Sequence, residues 1–146
     1  MPKSTSVCNS ILALMYNATA WANVADNAAA SPLTNIAMAL ATASYSGGST
    51  LATNEATGYT NYARKEDIPR STLGWTAPSG GATSNAAAIE FPQCGASGAT
   101  ITSAATGKTG GGAAIPFHYG DLNSPILVSN QIQPRFAIGA VTITET

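Results

Sequence analysis

AAIPFHYGDLNSPILVSNQIQPRFAIGAVTITET, residues Ala113–Thr146, is the stretch that decides the fold. Its short apolar runs are broken by Gly, Pro, Asn and Asp, the residues that start turns. It closes on an alternation. Ile138, Ala140, Thr142 and Thr144 fall on one side of a strand, and Gly139, Val141, Ile143 and Glu145 on the other. A chain finishing in such a pattern is expected to finish inside a sheet. Strands are predicted at Ala113–Tyr119, Ile126–Ser129, Arg135–Ile138 and Val141–Thr144.

The same reading extends upstream. Ala99–Thr106 reads as a strand with Ile101 its only large apolar residue, and Asn85–Phe91 as one that stops at Pro92. Leu73–Thr76 is a short strand or an anchor. In Asn35–Ser44, Ile36, Met38 and Leu40 alternate with Ala37, Ala39 and Ala41, giving one large and one small face. The alanines keep a helical alternative open there. Tyr45–Asn54, Pro78–Gly81 and Gly107–Gly112 are loops, the last a flexible tip. Strands recurring every eight to twelve residues or so indicate an antiparallel β-sandwich or barrel. The N-terminal part differs. Val7, Ile11, Leu14, Met15, Ala18, Trp21, Ala22 and Ala25 recur at three- and four-residue spacing, so Ser4–Asn27 is predicted helical. Ser4, Thr5 or Ser6 can cap its start, and Ser31 before Pro32 is pushed out of helical geometry. The expected architecture is mainly β, with an N-terminal helical segment over 1–30 and a sandwich or barrel over 35–146, in a single domain.

Composition narrows the function. The 146 residues suffice for one domain with a real core. Only 9% are charged, against roughly 25% in ordinary soluble domains. A formal net charge of −1 gives no field to draw the chain onto nucleic acid or an acidic membrane. Low charge suits surfaces that are covered, because charges are depleted from interface cores. The densest charge lies in Gly58–Arg70, where Arg64, Lys65, Glu66, Asp67 and Arg70 follow Tyr59 and Tyr62. Mixed signs argue against a nucleic-acid patch and for a solvated edge strand, or for ion pairs to a partner. Cys8 and Cys94 are two thiols without metal-ligand neighbours, read as free and buried or as one bridge. No run approaches the ~20 apolar residues of a membrane helix, and Ile11–Met15 is too short for a signal-peptide core.

Catalytic motifs fail on spacing. Thr106-Gly107-Lys108-Thr109 imitates a phosphate loop, but Thr102 stands where the first glycine belongs. His118, the only histidine, lies between Phe117 and Tyr119 and has no partner that the sequence singles out among many serines. The acidic residues show neither calcium-loop nor paired-carboxylate spacing. Trp21 and Trp75 are more simply core or interface anchors than sugar platforms. No enzyme, no cofactor and no metal are expected.

A resemblance adds to this. Tyr119-Gly120-Asp121-Leu122-Asn123-Ser124-Pro125-Ile126-Leu127-Val128, then Pro134-Arg135-Phe136 and Gly139-Ala140-Val141-Thr142-Ile143-Thr144, resembles the C-terminal signature of a tailed-bacteriophage virion structural family. Asn54-Glu55, Tyr62-Ala63-Arg64, Gly74-Trp75 and Ser84–Pro92 follow the same family's order. Its members are small β-rich virion proteins, often labelled tail-fibre-like, and some proteins of this type act as capsid cement. Lys65, Glu66 and Asp67 depart from the family's apolar alternation, which favours an edge or contact role. The resemblance implies a structural protein made in the host cytoplasm and carried on the virion. The expected role is a cement or decoration protein on the outer capsid surface, bound to the major capsid protein and to copies of itself as a dimer or trimer. The alternative is a tail or fibre component that takes part in adsorption. Trp21, Tyr59, Tyr62, Arg64 and Arg70 are the expected interface residues. Phe91, Ile101, Phe117, Leu122, Phe136, Ile138 and Ile143 are the expected core.

Overall fold

The computed structural model describes residues 3–21, 24–25 and 32–146. The chain is mainly β, with antiparallel sheets and one N-terminal helix, as predicted. Its contacts group into two compact units. One is built from Met1–Thr34, Pro69–Ile89 and Phe136–Thr146, the other from Asn35–Ile68 and Glu90–Arg135.

The first unit carries the helix α1, Thr5–Tyr16. Ser4 caps it, its hydroxyl accepting from Val7 N at 3.4 Å. Cys8, Leu12 and Tyr16, four apart, form its buried stripe. The helix is shorter than predicted. Asn17 N and Thr19 N both donate to Ala13 O, and Ala18 turns to φ 54°, the left-handed conformation that closes helices. The remaining apolar spacing does not continue it: Trp21 and Ala25 exchange backbone hydrogen bonds in a tight turn. Ala22, Asn23, Asp26 and Asn27, and the break expected at Ser31, lie outside the described residues. Arg70 accounts for the stop, since its guanidinium donates to the carbonyls of Leu14 and Met15 in the last helical turn and to Leu33 O.

Trp75 is fully buried and meets the Tyr16 ring edge-on at 4.8 Å. Strand β3, Ala82–Ser84, follows a turn in which Gly80 and Gly81 take positive φ. It pairs antiparallel with β8, Thr142–Thr144, placing Thr83 opposite Ile143. Ile143 is buried while Thr142 and Thr144 are exposed, so the expected alternation holds at the end of the chain. It fails before that. Gly139 has φ 76° and Ala140 N bonds to Ala137 O, a turn that leaves Ile138 69% exposed. The core assignment of Ile138 is therefore corrected.

Asn85 replaces the strand predicted at Asn85–Phe91. Its buried side chain donates to Ala87 O and Ala137 O and accepts from Val141 N. That arrangement turns the chain and leaves only β4, Ile89–Glu90, as ladder. β4 pairs with β7, Arg135–Phe136.

The second unit holds the main sheet. Its strands are β1 (Asn35–Ala41), β2 (Lys65–Pro69, whose last residue belongs to the first unit), β5 (Ala99–Lys108) and β6 (Pro116–Val128), in the order β2-β1-β5-β6. β1 pairs antiparallel with β5, Ala39 opposite Ala105. The small face of β1 packs with Tyr45, Leu51 and Ala105. Its large residues, Ile36, Met38 and Leu40, are buried as well. β5 pairs antiparallel with β6, but not evenly. Ile101 faces Ile126 and Ser103 faces Asp121, so Leu122–Pro125 bulge out opposite Thr102 alone. The two strands predicted here are thus one edge strand that runs through its own proline. Phe91, Ile101 and Phe136 are buried as expected; Phe117 and Leu122 are only half-buried.

Candidate functional site

The most organised polar group in the second unit is built on Glu55. The chain from Ala52 to Ala56 runs beside the end of β1, with Thr42 N bonding Asn54 O and Ala56 N bonding Leu40 O. Asn54 reaches φ 53° to make that turn, a conformation that Asn tolerates better than most side chains. The Glu55 carboxylate is thereby turned inward. Its Oε1 accepts from Tyr62 Oη at 2.7 Å and from Arg64 Nε at 3.0 Å, and its Oε2 from Arg64 Nη2 at 2.7 Å. The Arg64 and Glu55 side chains are 8% and 10% exposed. Tyr62 Oη also accepts from Leu40 N at 3.1 Å. One hydroxyl therefore satisfies a β1 donor and hands its own proton to the carboxylate.

This two-point pairing is the strong geometry for guanidinium and carboxylate. Its pKa consequences follow. Hydrogen bonding to Glu55 holds the Arg64 guanidinium above its usual range, with burial opposing. Burial pushes the Tyr62 phenol far up, and the Glu55 carboxylate adds to this while the Leu40 N–H pulls the other way. Arg64 also reaches outward, donating through Nη2 to Gly112 O at 3.1 Å. Glu66 Oε1 accepts from Gly111 N at 3.1 Å and Gly110 N at 3.4 Å. The glycine tip expected to be flexible is tied to Arg64 and Glu66.

Beside this cluster lies an open groove of about 560 Å³. One wall is Ala63–Asp67; the other is Glu90–Pro92 with Gln133. Gln133 Nε2 donates to Phe91 O at 3.0 Å, which fixes the second wall. The groove's charges are largely paired: Lys65 with Asp67 at 2.9 Å and Glu90 with Arg135 at 3.0 Å. Arg64 Nη1 has no hydrogen-bond acceptor among the described residues, with only the Glu66 carboxylate near, at 3.8 Å. Hydrogen bonding and shape are what such a site offers. Among the described residues no group of three or more His, Cys, Asp or Glu could hold a metal. No helix among these residues is long and apolar enough to cross a membrane.

The five residues expected at an interface divide. Tyr59, Tyr62 and Arg64 come together here. Tyr59 is buried, its hydroxyl donating to Pro92 O at 3.2 Å and its ring 5.2 Å from that of Tyr62, which stacks in turn on Phe91. Arg70 belongs to the first unit, where burial lowers its pKa and its acceptors are backbone carbonyls. Trp21 is half-buried in its own turn. Within one chain, the side chains of Tyr59, Tyr62, Arg64 and Arg70 are held by internal partners. Glu55, which organises the cluster, went unread as a site residue. Its signal was a lone acid in a long uncharged run, preceding Tyr-Ala-Arg.

No curated protein matches the chain. A family model does, that of podophage GP4 fiber I protein gp80, and it spans residues 12–144. With that match extending over nearly all of its length, the chain belongs to this phage fibre family and is a structural protein of the virion.

Proposed function

We propose that the chain is a repeating subunit of a tailed-phage fibre, working by assembly and contact with no reaction to perform. The observation that carries this is the family match over residues 12–144. The molecule supports it. Glu55, Glu66, Asp67 and Glu90 are each engaged with cations or backbone N–H groups of the same chain. Ile115, Tyr119, Leu127 and Ile132 stand exposed on the second unit. Charges paired within the chain, with apolar side chains left outside, suit a subunit that meets other protein. Its partners are copies of itself and the virion protein to which the fibre is anchored.

The cement reading expected from the sequence places the same subunit on the outer capsid, bound to the major capsid protein. The two differ in stoichiometry. Quantitative electrophoresis or mass spectrometry of purified virions should find few copies for a fibre and hundreds for a capsid cement. Hundreds of copies, or density lost from the head when the chain is deleted, would overturn the fibre assignment. A His118→Ala phage should infect normally, since no step depends on a catalytic base.

A further inference from the structure

Among the described residues, the main sheet ends on two edges without a further strand, β2 on one side and β6 on the other. Free edges invite pairing with another chain, and natural proteins blunt them with charge, proline or bulges. Here the blunting is partial. β6 is thirteen residues long and, up to Val128, nowhere buried. Its one charged residue, Asp121, is occupied by the Ser44 hydroxyl at 3.0 Å. The bulge at Leu122–Pro125 and a second irregularity at Phe117 leave a regular ladder over residues 118–121. On β2 the charges are Lys65, Glu66 and Asp67. Lys65 and Asp67 are two apart, so their ion pair lies over one face and leaves the backbone edge open. Glu66 is taken up by the glycine tip. The groove of about 560 Å³ beside Ala63–Asp67 gives room for an extended backbone. Its wall is one acceptor short at Arg64 Nη1.

We infer that the β2 edge of one copy receives the β6 edge of another, so that the sheet continues from copy to copy. It rests on the reading of the chain as an assembling subunit. The occupant is a second copy because the two edges suit each other. Neither carries an unpaired charge, and the five residues of β2 are long enough to cover the regular stretch 118–121 of β6. Main-chain hydrogen bonds supply the attraction. The contact joins unlike surfaces, so it closes into a ring or runs on as a filament.

The test is a disulfide that one chain cannot make alone. β2 and β6 are three strand spacings apart within a sheet, roughly 14 Å, beyond the Cα separation of about 4.4–6.8 Å that a disulfide spans. Asp67→Cys with Gly120→Cys, and Lys65→Cys with Gly120→Cys for a second register, are oxidised as purified full chain. Wild type is the control, its Cys8 and Cys94 being buried. Circular dichroism confirms folding before oxidation. In one of the pairs most chains should convert to covalent oligomers, and the matching single variants should stay at background. Single variants that cross-link as well as the pair would mean like edges meeting, and would overturn the inference. Folded pairs that stay uncrosslinked would overturn it too, and light scattering on the same samples then separates the cases. An oligomer without the disulfide sinks this contact alone; a monomer sinks the subunit reading with it.

Discussion

Replacing Asn85 by alanine should be the most damaging single loss of a polar side chain in the first unit. The side chain is fully buried. It satisfies the carbonyls of Ala87 and Ala137 at 2.7 and 2.8 Å and the N–H of Val141 at 2.8 Å. Alanine leaves the Val141 N–H and the Ala87 carbonyl without this partner, while Ala137 O keeps the Ala140 N–H. Each group left without a partner costs about 1–3 kcal/mol, so a total of roughly 2–4 kcal/mol is expected. That is a large part of the ~5–15 kcal/mol that holds a typical domain folded. At ~3 °C per kcal/mol for a chain of this size, the melting temperature should fall by about 6–12 °C. Thermal unfolding followed by circular dichroism measures it. Asn85→Asp sharpens the test. It keeps the acceptor for Val141 but turns a buried carboxylate oxygen toward two carbonyls. That environment raises the carboxyl pKa in the folded state. The penalty then grows as pH rises above the unfolded value near 3.9 and fades below it, so Asn85→Asp should recover stability toward pH 4. An Asn85→Ala protein melting within ~3 °C of the parent would refute the account of this turn.

Glu55→Gln removes the charge that compensates Arg64 and should cost about 3–5 kcal/mol, the usual price of breaking a buried pair; urea unfolding that shows no loss would contradict the inward geometry. Phe136→Ala should cost roughly 3–5 kcal/mol, whereas Ile138→Ala, at an exposed position, should change stability by less than ~0.5 kcal/mol; equal melting curves for the two would misplace one of them. Alkali should unfold the protein. Burial raises the phenols of Tyr45 and Tyr59 to about 12 and that of Tyr62 further. The folded chain keeps protons that the unfolded chain loses above pH ~10, so stability falls as pH rises from there. Absorbance near 295 nm should report these phenolates only together with unfolding, and their smooth titration in a folded protein would count against the burial.

What the sequence made legible was what local spacing controls. β1 and β5 were readable because large and small residues alternate through Ile36–Ala41 and because Ile101 stands alone among small polar neighbours. β8 was readable from Thr142-Ile143-Thr144. The missed boundaries were set at a distance. The helical spacing runs on past Tyr16, but Arg70, more than fifty residues away, takes the carbonyls that would have continued it. Gly120, Asn123 and Pro125 read as a turn between two strands. On a sheet edge, where one side of the backbone faces no partner, they are accommodated as a bulge. Tyr59, Tyr62 and Arg64 were singled out by residue type and do share a site. Glu55 and the Glu90–Pro92 and Gln133 wall were not, since nothing local marks an acid or an amide as facing an arginine brought close only by the fold.

The make-up of the first unit has a consequence for synthesis. Its pieces come from three separate stretches, one before β1, one between β2 and β4, and one after β7. Translation proceeds at roughly 5–20 residues per second, so the opening helix waits seconds for β3 and longer for β8, its closing strand. Until β8 leaves the ribosome, the stripe of Cys8, Leu12 and Tyr16 has no completed bed, and β3 has no mate. A nascent chain broken off early would carry that greasy stripe uncovered and be open to proteases. Only full-length copies would then be left to build the particle.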